Sequence, residues 1–178
     1  MSRRGVLFFC LAFLPAAWTG TAAAQDDAKP ADTRQVERPG RTGLPLPRFV
    51  SLRAAEINLR IGPGVRYPID WVYRRRGLPV EVIDEFETWR RIRDHEGTTG
   101  WVHQSMLDGR RSVMVTGKAR LLRRAPEAGA PGVARLEAGV IARLEGCEGD
   151  WCRVTVDRFG GWLRRGEVFG LYPGETVP

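Results

Sequence analysis

Side chains suited to acid–base or nucleophilic work are few in this chain. It has two histidines. His95 lies in Arg93-Asp94-His95-Glu96-Gly97, a turn-like stretch, and His103 follows Trp101-Val102 at the end of a strand-like run. Either histidine can be drawn with Asp94 or Asp108 as a dyad serving Ser105. No nucleophile-elbow motif surrounds Ser105, however, and Ser105-Met106-Leu107 reads as a short turn after the last strand. His95, His103 and the nearby carboxylates lack the spacing of a metal-ligand set. Gly62-Pro63-Gly64 contains a proline and opens a β loop, whereas a phosphate-cradling loop opens a helix. The expectation is a protein without catalytic residues, metal or cofactor.

Binding chemistry is better supplied. Tyr67-Pro68-Ile69-Asp70-Trp71-Val72-Tyr73 runs directly into Arg74-Arg75-Arg76. Aromatic rings offer large contact area at low entropy cost, and arginine grips carboxylates through two parallel hydrogen bonds. Tyr67, Trp71, Tyr73, Arg74, Arg75 and Arg76 are therefore the candidate ligand-binding residues. A period of two puts Trp71 and Tyr73 on one face of a strand and Val72 on the other. Both faces cannot be core in a small barrel, so either Val72 or the aromatic pair is expected to be exposed.

The elements that position these residues come in two copies. Leu59-Arg60-Ile61-Gly62-Pro63 is answered by Leu122-Arg123-Arg124-Ala125-Pro126, a shared Leu-Arg-x-x-Pro. Tyr67-Pro68 aligns with Ala130-Pro131, Gly77 with Gly139, Trp89 with Trp151, and Gly100-Trp101-Val102 with Gly161-Trp162-Leu163. Leu78, Val80 and Val82 alternate with Pro79 and Glu81, and Val140, Ala142 and Leu144 repeat the pattern, which marks half-buried strands. No useful window shows helical spacing. Short strands with Gly and Pro turns predict an all-β fold of two tandem small barrels, at 48–110 and 111–173, followed by a tail at 174–178. The four recurring tryptophans read as scaffold packing needed twice. Trp71 and Tyr73 have only Ala134 and Leu136 as counterparts, so the first copy is expected to bind and the second to brace it or touch another partner.

Everything before residue 48 reads as address and tether. Arg3 and Arg4 precede an apolar run from Val6 to Leu14 and the small residues Ala22-Ala23-Ala24. The run is too short to span a bilayer, so residues 1–24 are predicted to be a cleaved signal peptide, leaving no membrane span. The paired arginines also fit a twin-arginine export signal. Cys10 lies inside the apolar run after Phe8 and Phe9, which is unsuited to lipidation. Residues 25–47, rich in proline, glycine and charge, are predicted to be a disordered linker. The destination is the periplasm or the exterior.

Export then constrains the rest. Losing Arg3 and Arg4 lowers the formal charge from +7 to +5. Outside the cytosol, nucleic acid is not the expected counterpart, and anionic wall polymers, stem-peptide carboxylates, acidic lipid headgroups or acidic proteins fit better. Cys147 and Cys152 flank Glu148-Gly149-Asp150, a turn between two strand-like runs. In an oxidising compartment they are expected to face each other as a disulfide.

The Asn58-Leu59-Arg60-x-Gly62-Pro63 opening, the Trp89 run and the Gly100-Trp101-Val102 close resemble the pattern of bacterial SH3-like domains. The second copy departs from it, with Leu121 in place of the asparagine and Ala125-Pro126 in place of Gly-Pro. The resemblance implies small barrels of about five strands with a long first loop. It also implies a non-catalytic envelope module, linked to peptidoglycan or to the enzymes that remodel it. The expected partner is a cell-wall fragment, or alternatively an envelope protein such as a wall hydrolase for which the chain serves as an adaptor.

Overall fold

The computed structural model describes residues 38–177; the predicted signal peptide and most of the predicted linker lie outside them. Alternating apolar residues and turn-forming glycines build sixteen short strands. The first lobe holds β1 (Arg38–Pro39), β2 (Pro45–Leu46), β3 (Arg48–Leu52), β4 (Ile57–Arg60), β5 (Ile69–Tyr73), β6 (Pro79–Phe86), β7 (Trp89–Arg93), β8 (Thr99–His103) and β9 (Leu107–Asp108). The second holds β10 (Ser112–Val115), β11 (Arg120–Arg123), β12 (Gly132–Leu136), β13 (Ile141–Glu148), β14 (Trp151–Val156), β15 (Phe159–Arg164) and β16 (Val168–Phe169).

The repeat read from sequence is a repeat of topology. Strand order is β5-β4-β8-β7-β6-β3-β9 in one seven-stranded sheet and β12-β11-β15-β14-β13-β10-β16 in the other, matching element for element. A single 3-10 turn precedes the last strand of each. The expected barrel closure is not reached: each sheet curls around its own core with its first and last strands unpaired to each other. The final strands are two residues long, so one open edge of each sheet is short, whereas the other is a five-residue strand, β5 or β12.

Inside the first lobe lie Leu52, Ile57, Leu59, Val80, Val82, Ile92 and Val102, and inside the second Val113, Val115, Leu122, Val154 and Leu163. The shared Leu-Arg-x-x-Pro has a mechanical meaning in both. Arg60 Nη1 donates to the Tyr67 carbonyl at 2.6 Å, and Arg123 Nη1 to the Ala130 carbonyl at 3.0 Å. The next amides close the same loop, Ile61 N to Pro68 O and Arg124 N to Pro131 O. Gly77 and Gly139 hold the equivalent left-handed corner, at φ 77° and 83°.

Two predicted boundaries are corrected. Residues 38–47, expected to be disordered, are folded: β1 pairs with β2, Leu46 is buried in the first core, and Thr42 donates from its amide and hydroxyl to Glu85. The tail after 173 is docked as well. Glu175 binds Arg111, the Val177 carbonyl accepts from Cys147 N, and Val177 packs on the second core.

The lobes are packed together. Ser51 and Ser112 meet Oγ to Oγ at 2.6 Å in a buried contact, and Ser112 Oγ donates to the Gly77 carbonyl. Met114, from the second lobe, is buried in the first core. The Phe49 ring lies between Phe169, edge-on at 5.2 Å, and Tyr172 at 4.7 Å. The Tyr172 hydroxyl donates to Glu81 Oε1 at 2.8 Å. This explains why Glu81, on the face expected to be polar and exposed, is only 4% exposed.

Cys147 and Cys152 are directly opposed across β13 and β14 and form the expected disulfide. Cys152 belongs to the second core. The closed loop is short, so reducing the bridge, or replacing both cysteines by alanine, is expected to cost about 2 kcal/mol. Paired urea melts with and without reductant check this as a lowered midpoint.

Candidate functional site

The six predicted binding residues are distributed by the fold over four environments. Tyr67 closes the β4–β5 loop. Its ring lies across Gly62, where a Cβ would come within 2.5 Å of it, and the Arg66 guanidinium sits 5.2 Å from the ring centroid. Tyr73 points inward. It pairs with Ile57, is buried in the first core, and its hydroxyl donates to Asp94 at 2.9 Å. Burial first, then this hydrogen bond, pushes the Tyr73 phenol well above its ordinary range. Trp71 shares the strand face of Tyr73, as alternation predicted, yet is 57% exposed. It stands opposite Leu59 on the edge strand, beside a bulge that carries β5 past the rim of the core. Val72 is half-buried. Depth along β5, rather than the choice of face, separates the two aromatics.

Arg74, Arg75 and Arg76 are all exposed on the β5–β6 connection. Arg75 approaches Gly139 of the second lobe, and Arg76 lines a cleft between the lobes. Around Trp71 the β4–β5 hairpin exposes further apolar side chains, Ile61, Val65 and Ile69.

Asp94 and Ser105 prove to have local roles. Asp94 is buried, and its Oδ1 accepts the amides of Glu96 and Thr98, which shapes the β7–β8 turn. His103 Nδ1 caps the 3-10 turn Gln104–Met106, accepting Ser105 N at 3.3 Å and lying 2.7 Å from Ser105 Oγ. Among the described residues neither Asp94 nor Asp108 is hydrogen-bonded to a histidine.

One arrangement escaped the sequence reading. The four recurring tryptophans, read as packing, belong to neither core; they are half-buried on the outer sheet faces. Trp101 pairs with Arg60 on one side and Arg91 on the other, and Trp162 likewise with Arg123 and Arg153. Each lobe thus carries an Arg-Trp-Arg row across three strands. Trp89 meets His103 edge-on at 5.5 Å, and the Arg164 guanidinium covers Trp151 at 5.0 Å. The signal was present: Trp89 and Arg91 alternate with Ile92, and Ile92 is the residue that faces inward.

Two like all-β lobes in tandem, with aromatic and basic side chains on their outer surfaces, define a tandem SH3-like repeat. The chain belongs to the bacterial SH3 domain family, whose model matches it twice, over residues 53–109 and 117–170. That is a family of binding modules. No curated protein matches the chain. Among solved structures it is similar to NlpC1 from Trichomonas vaginalis (8% identity, TM-score 0.32, covering 68% of this chain and 45% of that one). It is likewise similar to NlpC2 from the same organism (9%, 0.33, 74% and 50%) and to an NlpC/P60 family protein from Bacillus cereus (14%, 0.32, 73% and 58%). The chain spans about half the length of these proteins.

Proposed function

We propose that this protein is an exported, non-catalytic binding module of the bacterial cell envelope. Its first lobe engages peptidoglycan or an anionic peptide through Trp71 and the exposed Arg74, Arg75 and Arg76. The carrying observation is the position of Trp71, an indole exposed on an edge strand within a few residues of three exposed guanidiniums. The second lobe has Ala134 at that position, which supports a division of labour between the copies. The disulfide supports an oxidising compartment.

Co-sedimentation of the purified protein with peptidoglycan sacculi tests the reading. Binding is expected at low ionic strength, and Trp71→Ala should weaken it by about tenfold or more, the usual effect of truncating a central aromatic anchor. Because the side chain is largely in water, thermal stability should hardly change. No retention at low salt, where charge contacts are strongest, would sink the wall-binding version. Ile61, Val65 and Ile69, exposed along the same hairpin, favour a second reading: an adaptor docking on an envelope protein such as a wall hydrolase. A photo-crosslinker at Val65 yielding one protein adduct in cells, insensitive to Arg75→Ala, is the result that would select it.

A further inference from the structure

A cleft of about 230 Å³ opens where the lobes meet, and its lining is strongly one-sided in charge. Arg53 and Arg76 reach it from the first lobe, Arg110 and Arg111 from the join, and Arg143 from the second lobe, against the single carboxylate of Asp108. Ser51 and Ser112, whose buried hydroxyls tie the lobes together, also border it.

The charge is only partly answered within the protein. Arg110 holds Asp108 through Nε at 3.1 Å and Nη2 at 2.9 Å, and this bond, followed by the Arg110 amide, keeps Asp108 below the usual carboxylate range. Arg111 is pinned by Glu175 at 2.6 Å and by the Gly170 carbonyl, but its buried Nε has no acceptor among the described residues. Arg143 shares Glu145 with Arg153. Arg76 has no salt bridge among the described residues, and Arg53 touches Asp108 only through its charge, the last of the causes that depress that carboxylate. Arg53 and Arg76, with the largely exposed Arg143, thus bring positive charge to one small space that Asp108 offsets only in part, a field that favours entry of an anion. At roughly 30 Å³ per water-sized group, the cleft holds about eight heavy atoms. That is the size of a phosphoryl group with its ester arms or a short dicarboxylate.

We propose that this inter-lobe cleft binds a compact, doubly charged oxyanion, a phosphoryl group or a pair of carboxylates, gripped by Arg53 from the first lobe and Arg143 from the second. The planar fork of arginine matches both oxyanions. The site shares Arg76 with the surface proposed around Trp71, but Arg53 and Arg143 lie outside that surface, so the two readings can fail independently.

Isothermal titration of the purified protein at constant ionic strength tests this, with pyrophosphate as the phosphoryl probe and glutarate as the carboxylate probe. Saturable binding of either supports the site, and the tighter of the two names the source. Arg53→Gln with Arg143→Gln should weaken it by about tenfold or more, the loss expected from removing charge-assisted hydrogen bonds. Arg124→Gln with Arg158→Gln removes the same net charge away from the cleft and should change affinity less than about twofold, since exposed charges act weakly at a distance. Arg53→Lys with Arg143→Lys keeps both charges and should still bind more weakly than the native protein. The proposal is overturned if neither anion saturates, if the distant pair weakens binding as much as the cleft pair, or if the lysine pair binds at full strength.

Discussion

Replacing Gly161 by alanine is expected to destabilise the protein by about 3 kcal/mol, at the upper end of overpacking costs. A Cβ there would lie 2.6 Å from the Arg123 carbonyl oxygen and 2.7 Å from Leu122 Cγ. The oxygen is backbone, so it can yield only if β11 moves away from β15, and these strands are joined at Arg123 and Trp162. Moving β11 also drags the arginine that clamps the Ala130 loop. Gly100→Ala meets the same obstacle in milder form, with Leu59 Cγ at 2.6 Å and the Arg60 oxygen at 2.9 Å, and should cost somewhat less. Urea unfolding of both variants checks the order; a Gly161→Ala midpoint equal to that of the native protein would contradict the argument. The Gly-Trp pair that closes each copy is thus a single device. Glycine lets a neighbouring strand approach from inside, and the tryptophan beside it faces outward.

Glu85→Ala is expected to cost about 3–5 kcal/mol, the usual penalty for removing one member of a buried ion pair. The Glu85 carboxylate lies within 3.4 Å of Arg90 Nε, and their side chains are 1% and 5% exposed. It also accepts from Arg48 at 2.7 Å and from Thr42. Burial by itself pushes Glu85 up, but the Thr42 amide and Arg48 outweigh it and hold the group below its ordinary 4.5. The fold therefore favours the ionised form. Its contribution is complete above pH 4.5 and drains away as pH falls toward the depressed value in the folded protein. Urea midpoints measured from pH 6 downward should fall more steeply for the native protein than for Glu85→Ala; parallel curves would refute the assignment. Glu85 pairs with Arg90 at the rung that Cys147 and Cys152 occupy in the other copy. One rung is thus closed by charge in the first lobe and by a covalent bond in the second.

That equivalence shows where a sequence can be read and where it cannot. The cysteine pair was legible because its chemistry is local, two like residues flanking a turn. The Glu85–Arg90 pair flanks the matching turn, but its worth comes from Thr42 and Arg48, more than 35 residues away in sequence. The repeat and the strands were legible because Leu-Arg-x-x-Pro, Gly77 with Gly139, and the alternating valines each state a local backbone requirement. Residues 38–47 and the tail state none: they carry no periodicity and are ordered only by partners in other elements. The grouping of Trp71 with Tyr73 went astray for a related reason. Alternation fixes which face a side chain takes and is silent on how far the strand runs past its core, so Trp71 and Tyr73 looked alike. The inter-lobe cleft draws on residues from 51 to 143 and has no linear signature at all.

The two ends of the folded part converge on one strand. Thr42 and Arg48 fasten the entering chain to Glu85, while Tyr172 fastens the departing chain to Glu81, and both glutamates belong to β6. Tension applied at the two ends of the described residues would strain Val177 against Cys147 and Glu175 against Arg111 first, and then reach a strand inside the first sheet. The β4–β5 hairpin, with its exposed indole, lies at the far edge of that sheet and outside the line of load. A protein tethered at one end and pulled at the other would keep its outer hairpin undistorted until β6 itself gave way.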